Sequence, residues 1–138
     1  MDRALITGGA GFIGSHLAQN LLESSWDVTI VDNFDPFYSK ATKLANILAE
    51  RKSSRFHLIE ADIRDYESLR QQAGGSYDVI VHLAAKAGVR PSILKPDEYL
   101  ETNVKGTQNM LMWSPLRPAG VQRRLLRLRL LQKIIPGM

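Results

Sequence analysis

Cysteine is absent from the sequence, which excludes disulfide bonds, thiolate metal ligands and cysteine nucleophiles. Long apolar runs are absent too. The first apolar run, residues 4–6, is too short for a signal peptide or a membrane span, so we expect a cytoplasmic protein with no membrane partner. The composition of the 138 residues, 44% hydrophobic and 23% charged, is typical of one globular domain.

Acidic residues are absent beyond residue 113, although six of the 18 lysines and arginines lie there. Residues 1–113 therefore carry 12 basic and 14 acidic side chains, whereas residues 114–138 carry a net charge of +6. A basic charge spread over a whole domain is typical of nucleic-acid binders, and residues 1–113 lack it. We expect no nucleic-acid partner, and we divide the chain into a domain, 1–113, and a basic atypical tail, 114–138.

Short apolar runs alternate with segments of helical periodicity along residues 1–113. The runs at 4–6, 27–32, 55–60 and 77–82 predict strands, and the segments at 12–24, 39–52, 65–73 and 96–113 predict helices. This alternation favours an α/β fold, a doubly wound parallel sheet of Rossmann type with strand order 3-2-1-4. The predicted core contains Leu5, Ile6, Phe12, Ile13, Leu17, Leu21, Val28, Ile30, Val31, Leu58, Ile59, Val79, Ile80, Val81 and Leu83.

A glycine-rich segment, TGGAGFIG at residues 7–14, joins the first strand to the first helix. Its glycines fit G-x-x-G-x-x-G, counted from Gly8, and G-x-G-x-x-G, counted from Gly9. Such a loop lets the backbone approach a pyrophosphate, and the helix N-terminus behind it offers free N–H groups. A tight strand–helix turn without a ligand is the alternative. No lysine follows as in a P-loop, so nucleotide triphosphate hydrolysis is disfavoured.

Asp32 ends the second predicted strand, 18 residues after Gly14. A carboxylate at this point accepts hydrogen bonds from the ribose 2′-hydroxyl of NAD and repels the 2′-phosphate of NADP. The glycines, the helix and Asp32 together predict a dinucleotide site that prefers NAD. The alternative is that Asp32 only ends a strand.

Several segments resemble the extended short-chain dehydrogenase/reductases, specifically the NAD-dependent nucleotide-sugar epimerases and dehydratases. They are the glycine loop, DIRD at 62–65, HLAA at 82–85 and NVKGT at 103–107, in that order. KAGVRPS at 86–92 and DNFDPFY at 32–38 look most like the UDP-glucuronate 4-epimerases within that family. The resemblance covers residues 3–113.

The resemblance implies NAD as the cofactor and a UDP-sugar as the substrate. We expect no metal site, because His16 and His57 share no metal-ligand spacing with His82. The implied cofactor contacts are Gly8, Gly11, Phe12, Ile13, Gly14, Asp32, Asn33, Asp62, Ile63, Leu83, Ala84, Ala85, Lys86 and Asn103. The implied substrate contacts are Gly88, Val89 and Arg90. From the sequence alone, Arg90 could equally be an ordinary loop cation, and His82 could be a packed residue at a strand end.

The catalytic Tyr-x-x-x-Lys pair of this family does not occur among the 138 residues. The residues four positions after the tyrosines are Thr42, Arg70, Val81 and Asn103. Without this acid/base pair, bound NAD cannot exchange a hydride with a sugar, so we assign no catalytic residue and expect this chain alone to be inactive. Two hypotheses remain. In the first, the chain is part of a nucleotide-sugar epimerase that acts by C4 oxidation, rotation and re-reduction. In the second, it is a non-enzymatic NAD-binding module, or a truncated product, whose basic tail docks on a partner.

The tail stands where the family has its fifth strand, and three interpretations are open. It is a basic amphipathic segment, an edge strand at 125–131, or the product of a frameshift. We favour the frameshift, because arginine and leucine codons of the CGN and CTN types, read one base later, encode valine or alanine alternating with serine, phenylalanine or tyrosine. A fold cut after its fourth or fifth strand would leave a sheet edge uncovered, so we expect poor solubility or self-association.

Overall fold

A computed structural model describes residues 1–113 and 124–126, which form one five-stranded parallel sheet with helices on both faces. The strands are β1 (Arg3–Thr7), β2 (Asp27–Asp32), β3 (Phe56–Glu60), β4 (Val79–His82) and β5 (Arg124–Leu126). They lie in the order β3-β2-β1-β4-β5. The predicted doubly wound α/β fold and the order 3-2-1-4 are confirmed.

Within residues 1–113, six α-helices connect and follow the strands. They are α1 (Phe12–Glu23), α2 (Lys40–Asn46), α3 (Tyr66–Gln72), α4 (Val89–Leu94), α5 (Pro96–Tyr99) and α6 (Gly106–Trp113), with a 3₁₀ turn at Glu50–Lys52 and a π-helical segment at Leu100–Lys105. The carboxylate of Asp65 caps α3 by accepting the Ser68 N–H at 3.0 Å, as its position before that helix predicts.

Two hydrophobic clusters lie on opposite faces of the sheet because neighbouring strand residues point in opposite directions. On one face Ile6 and Ile30 pack with Ala18 and Leu22 of α1. On the other, Leu5 and Val31 pack with Leu69 of α3 and Met110 of α6. Both faces are therefore covered, which explains why the strands read as continuous apolar runs.

The predicted core was wrong at two positions, Phe12 and Ile13, which are 76% and 39% exposed. Both stand in the first turn of α1, and the buried residues of that helix are Gly14, Ser15, Ala18 and Leu22. The spacing of the large apolar residues misplaced the buried face of α1, because three of its four buried residues, Gly14, Ser15 and Ala18, are small. The predicted core also omitted four residues that are fully buried: Tyr77, Ile47, Leu69 and Met110.

Three helix predictions need correction. The expected helix at 39–52 ends at Asn46 and is followed by the 3₁₀ turn. The expected helix at 96–113 is helical throughout, but its middle third is a π-helix. Residues 89–94, expected as part of a loop, form α4.

Part of the tail forms β5, which pairs in parallel with β4, with Ile80 opposite Leu125. The edge-strand interpretation therefore applies to residues 124–126, and β4 has a neighbour on its outer side there. The rest of the predicted strand, 127–131, lies outside the described residues, as do residues 114–123. Within the described part of the chain, no helix is both long and apolar enough to cross a membrane.

Candidate functional site

Gly8 begins the turn that leaves β1, and its backbone has a φ of +69°. Its N–H donates to the Val31 carbonyl at 2.8 Å, which holds the turn against β2. A Cβ at this position would lie 2.9 Å from the Ala84 nitrogen, so both the conformation and the space require glycine.

The later glycines of the loop have different surroundings. A Cβ on Gly14 would overlap the Gly8 carbonyl, so Gly14 lets α1 pack tightly on the turn. A Cβ on Gly11 would meet only the Gly8 oxygen, at 3.3 Å, and Gly11 lines an open cavity. Gly11 is also the N-cap of α1, and no side chain caps the helix there. The first-turn N–H groups of α1 have no intrahelical partner, and they directly follow Gly11, which does line the cavity.

The cavity has a volume of about 550 Å³ and opens at the carboxyl ends of β1, β2, β3 and β4. This edge of a doubly wound sheet is where such folds bind ligands. Nine of the predicted cofactor residues line it: Gly8, Gly11, Asp32, Asn33, Ile63, Leu83, Ala84, Ala85 and Lys86. These nine residues therefore lie together at one place in the fold.

The other predicted residues do not line the cavity. Phe12, Ile13 and Gly14 form the first turn of α1, and Asp62 and Asn103 act on neighbouring residues as described below. The expected substrate residues Gly88, Val89 and Arg90 form the start of α4, where Val89 is 77% exposed. Their neighbours Ala87 and Pro91 do line the cavity.

Asp32 is 4% exposed, and described residues donate three hydrogen bonds to its carboxylate. The Ala10 N–H donates to Oδ2 at 3.1 Å, and the Phe34 N–H donates to Oδ1 at 2.9 Å. The Lys43 ammonium completes the set with a contact of 3.0 Å to Oδ1. Backbone amides and one cation compensate this buried charge, as a buried carboxylate requires.

Asp62 is held in a fork by Arg64, whose Nε and Nη2 donate to the two carboxylate oxygens at 3.0 and 2.8 Å. Asn33 adds a third side-chain hydrogen bond at 3.0 Å. The Arg64 hydrogen bonds are the main reason that the pKa of Asp62 falls from 3.8 to about 2. The carboxylate thus orients Arg64 and Asn33, which both line the cavity.

A chain of hydrogen bonds runs behind the cavity from Thr7 through His82 and Thr107 to the main chain of Asn103. The Thr7 hydroxyl accepts from the N–H groups of Leu83 and Ala84, so its own proton goes to His82 Nδ1 at 2.6 Å. His82 Nε2 then donates to Thr107 at 3.0 Å, and Thr107 donates to the Asn103 carbonyl. His82 is therefore a packed residue that joins β1, β4 and α6, and it does not line the cavity.

Asn103, in the π-helical segment, fixes the main chain of Lys86. Its Oδ1 accepts the Lys86 N–H at 2.8 Å, and its Nδ2 donates to the Lys86 carbonyl at 3.3 Å. π-Helical segments often occur at functional sites, and here the segment carries the residue that shapes the loop after β4. Asn103 therefore acts on the cavity through Lys86.

The Lys86 ammonium donates to Glu98 at 2.9 Å and lies 3.8 Å from Asp35. The hydrogen bond to Glu98 is the largest cause that raises the pKa of Lys86, and the same bond lowers the pKa of Glu98. Because all three residues line the cavity, this ion cluster links the loop after β2 to α5 across it.

Sequence reasoning missed several residues of the cavity wall. Lys43, Arg64 and Glu98 supply charge, and Phe37, Tyr38 and Tyr99 supply aromatic surface. Of these, only Arg64, in the segment 62–65, and Phe37 and Tyr38, in the segment 32–38, belong to segments that carried the family resemblance. Lys43 follows Asp32 by 11 residues on another element, and no local pattern links two such positions.

The residues present fit a dinucleotide: Gly8, Gly11 and the buried carboxylate of Asp32 line one cavity, and the uncapped N-terminus of α1 directly follows Gly11. Nothing comparable exists for a metal within residues 1–113, where no group of three or more His, Asp or Glu side chains could hold an ion.

Residues 5–125 match the protein family described as GDP-mannose 4,6 dehydratase. The chain belongs to this family of NAD-dependent nucleotide-sugar epimerases and dehydratases. The resemblance found in the motifs is thereby confirmed. The match begins within β1 and extends beyond residue 113 into the basic tail.

Individual relatives match most of this chain. The chain is 43% identical over 109 residues, 79% of its length, to a UDP-N-acetyl-alpha-D-glucosaminuronate decarboxylase of Bacillus cytotoxicus, and covers 32% of that protein. It is 38% identical over 110 residues to a probable UDP-glucuronate 4-epimerase of Rhizobium meliloti, with 79% and 32% covered.

Among solved structures, a UDP-glucuronic acid 4-epimerase of Bacillus cereus, in complex with UDP-glucuronic acid and NAD, has a TM-score of 0.68 and 39% identity. The match covers 80% of this chain and 35% of that one. The chain thus spans about a third of the length of the relatives it matches.

Proposed function

We propose that this chain binds NAD in the cavity at the carboxyl ends of the strands. The observation that carries the proposal is the glycine turn, where Gly11 keeps the approach to the α1 N-terminus open while the buried Asp32 faces the same cavity. The complex of the Bacillus cereus relative contains NAD, which supports the same cofactor here. NAD, when bound, would accept and return a hydride.

Each predicted contact receives a role in this proposal. Gly8, Gly11 and the N–H groups of the α1 first turn would hold the pyrophosphate. Asp32 and Asn33 would face the adenosine ribose, and Ile63 would flank the adenine. Leu83, Ala84, Ala85 and Lys86, after β4, would line the nicotinamide half. Phe12, Ile13 and Gly14 would contribute through their backbone, and Asp62 and Asn103 through the neighbours that they orient.

We further propose that the chain is the cofactor-binding part of an enzyme that acts on a UDP-sugar, with a UDP-glucuronate 4-epimerase as the favoured activity. The two relatives described above are named for different reactions, an epimerisation and a decarboxylation, on UDP-sugar acids. The epimerase assignment therefore rests on the segments 32–38 and 86–92. Substrate contacts at Gly88, Val89 and Arg90 and a cytoplasmic location stay predictions.

A second candidate is a non-enzymatic NAD-binding module, and one observation favours it: none of the four tyrosines has a lysine four residues later. We therefore expect no turnover when the 138-residue chain is incubated with UDP-glucuronate and NAD. Turnover by this chain alone would contradict the assignment of no catalytic residue. Turnover only after addition of a polypeptide supplying the Tyr-x-x-x-Lys pair would favour the enzyme over the module.

Calorimetric titration of the full chain with NAD tests the binding proposal. The wild type should bind, and Gly11→Val should lose binding, because its side chain would enter the space in front of the α1 N-terminus. Gly74→Val is the matched control, since Gly74 is exposed and a Cβ there would meet nothing closer than 4.0 Å. No binding by the wild type, or equal loss in both variants, would refute the proposal.

A further inference from the structure

The Asp32–Lys43 ion pair is the most buried charge pair of the cavity wall, with side chains 3% and 11% exposed. Both residues line the cavity. Other contacts fix α2, which carries Lys43: Ser39 caps the helix by accepting the Thr42 N–H, and Asn46 donates to the Ala10 carbonyl at 3.0 Å. The Lys43 ammonium is thus held beside Asp32 by a docked helix.

Hydrogen-bond capacity shows what this pair can still offer a ligand. An ionised carboxylate has about four acceptor positions, and described residues use three of them on Asp32. The free position is on Oδ2. An ammonium has three donors, of which Asp32 takes one. The pair therefore presents about one acceptor and two donors, which suits two vicinal hydroxyls.

The charge of the pair changes how cofactor selection should work. A lone carboxylate would reject a 2′-phosphate by repulsion, but Lys43 at 3.0 Å offsets that charge. Removal of Asp32 alone would leave an uncompensated ammonium facing the ribose, which would attract a phosphate. Removal of Lys43 alone would leave an uncompensated carboxylate.

We propose that Lys43 is a specificity-determining residue of the cofactor site, which contacts the adenosine ribose together with Asp32 and sets the preference between NAD and NADP. This assignment rests on the proposed NAD binding. The pair, and not Asp32 alone, then selects the cofactor: Asp32 accepts from one ribose hydroxyl and Lys43 donates to the other.

The test is a calorimetric titration of four full-length variants with NAD and with NADP. Lys43→Met should weaken NAD binding roughly tenfold and NADP binding further, so that the preference for NAD rises. Asp32→Ser should shift the ratio of the two dissociation constants at least tenfold towards NADP. The double variant Asp32→Ser/Lys43→Met should lose that shift, because the ammonium is gone.

Lys40→Met is the matched control, because Lys40 lies on the same helix but pairs with the exposed Glu60 and does not line the cavity. Its NAD to NADP ratio should equal that of the wild type. If Asp32→Ser does not fold, Asp32→Asn replaces it, since the amide oxygen still accepts the Phe34 N–H. Melting temperatures with and without each dinucleotide provide the second readout.

The outcomes separate the two claims. Equal ratios in the single Asp32 variant and the double variant, with NAD bound by the wild type, would overturn the role of Lys43 and leave the proposed function intact. Absence of NAD binding by the wild type would overturn the proposed function, and the role of Lys43 with it.

Discussion

Asp32 and Asp62 both follow the hydrophobic part of a strand, but their surroundings differ. Asp32 is buried, and backbone amides and Lys43 satisfy it, whereas Asp62 is partly exposed and held by the Arg64 fork. The position of Asp32 at the end of a strand predicted it at the cofactor site, whereas the resemblance of the segment 62–65 implied Asp62 there. It could not show that Asp62 turns towards Arg64, because a side-chain fork depends on the local turn and leaves no periodic pattern.

The Asp62–Arg64 pair should make stability depend on pH in the acid range. The pKa of Asp62 is lowered to about 2 from 3.8, so the contribution is fully present above pH 3.8 and is lost as the pH falls towards 2. Because both side chains are partly exposed, we expect only about 1 kcal/mol. Urea unfolding of the wild type and Asp62→Asn at pH 6 and pH 2.5 measures it.

The stability difference between wild type and Asp62→Asn should be larger at pH 6 than at pH 2.5. Asp2→Asn is the control, since Asp2 is exposed near the N-terminus and none of the described salt bridges includes it. A difference between Asp62→Asn and wild type that does not change with pH would show that the fork contributes no charge-dependent stability.

At the scale of elements, hydrophobic periodicity located the strands well, because buried parallel strands need apolar residues on both faces. It was less successful for helices. The apolar spacing at 96–113 indicates a helix, but it does not distinguish α-helix from the π-helical segment that carries Asn103. The short α4 was missed because a helix of six residues does not show a periodic apolar pattern.

Asn103, in the π-helical segment, influences the cavity through its two hydrogen bonds to the Lys86 main chain. Asn103→Ala removes both hydrogen bonds to the Lys86 main chain, so we expect a loss of about 1 kcal/mol in the free energy of unfolding. We also expect NAD affinity to fall roughly tenfold, because Lys86 and its loop lose their fixed position. Urea unfolding and calorimetry measure the two effects.

Asn20→Ala is the matched control, since the exposed Asn20 donates only to the His16 carbonyl one helical turn away. It should leave NAD affinity unchanged. An Asn103→Ala protein with wild-type affinity would contradict the positioning role, whatever its stability.

At the scale of the whole molecule, the structure explains residues 1–113 more fully than the tail, residues 114–138. The fold of residues 1–113 follows from alternating strands and helices, and the family match supports it. Of the tail, the structure describes only residues 124–126, which pair with β4. The absence of acidic residues from the basic segment 114–138 is a property of composition, and pairing over three residues does not explain it.

The frameshift hypothesis predicts what the nucleotide sequence contains after codon 114. Translation in the other two forward frames should give an apolar strand, then a serine pair and a Val-Tyr-Gly-like segment, and later a Tyr-x-x-x-Lys. Sequencing the gene region measures this directly. If neither frame contains the pattern, the tail has to be taken as evolved, and the NAD-binding module becomes the better interpretation.

The central claim, that NAD occupies the cavity at the carboxyl ends of the strands, is tested most directly by hydrogen–deuterium exchange of the full chain with and without NAD. Exchange should slow in peptides covering residues 8–14, 32–38 and 83–87, whereas peptides covering α3 should change little. Slowing confined to other regions, or no change at saturating NAD, would contradict the account.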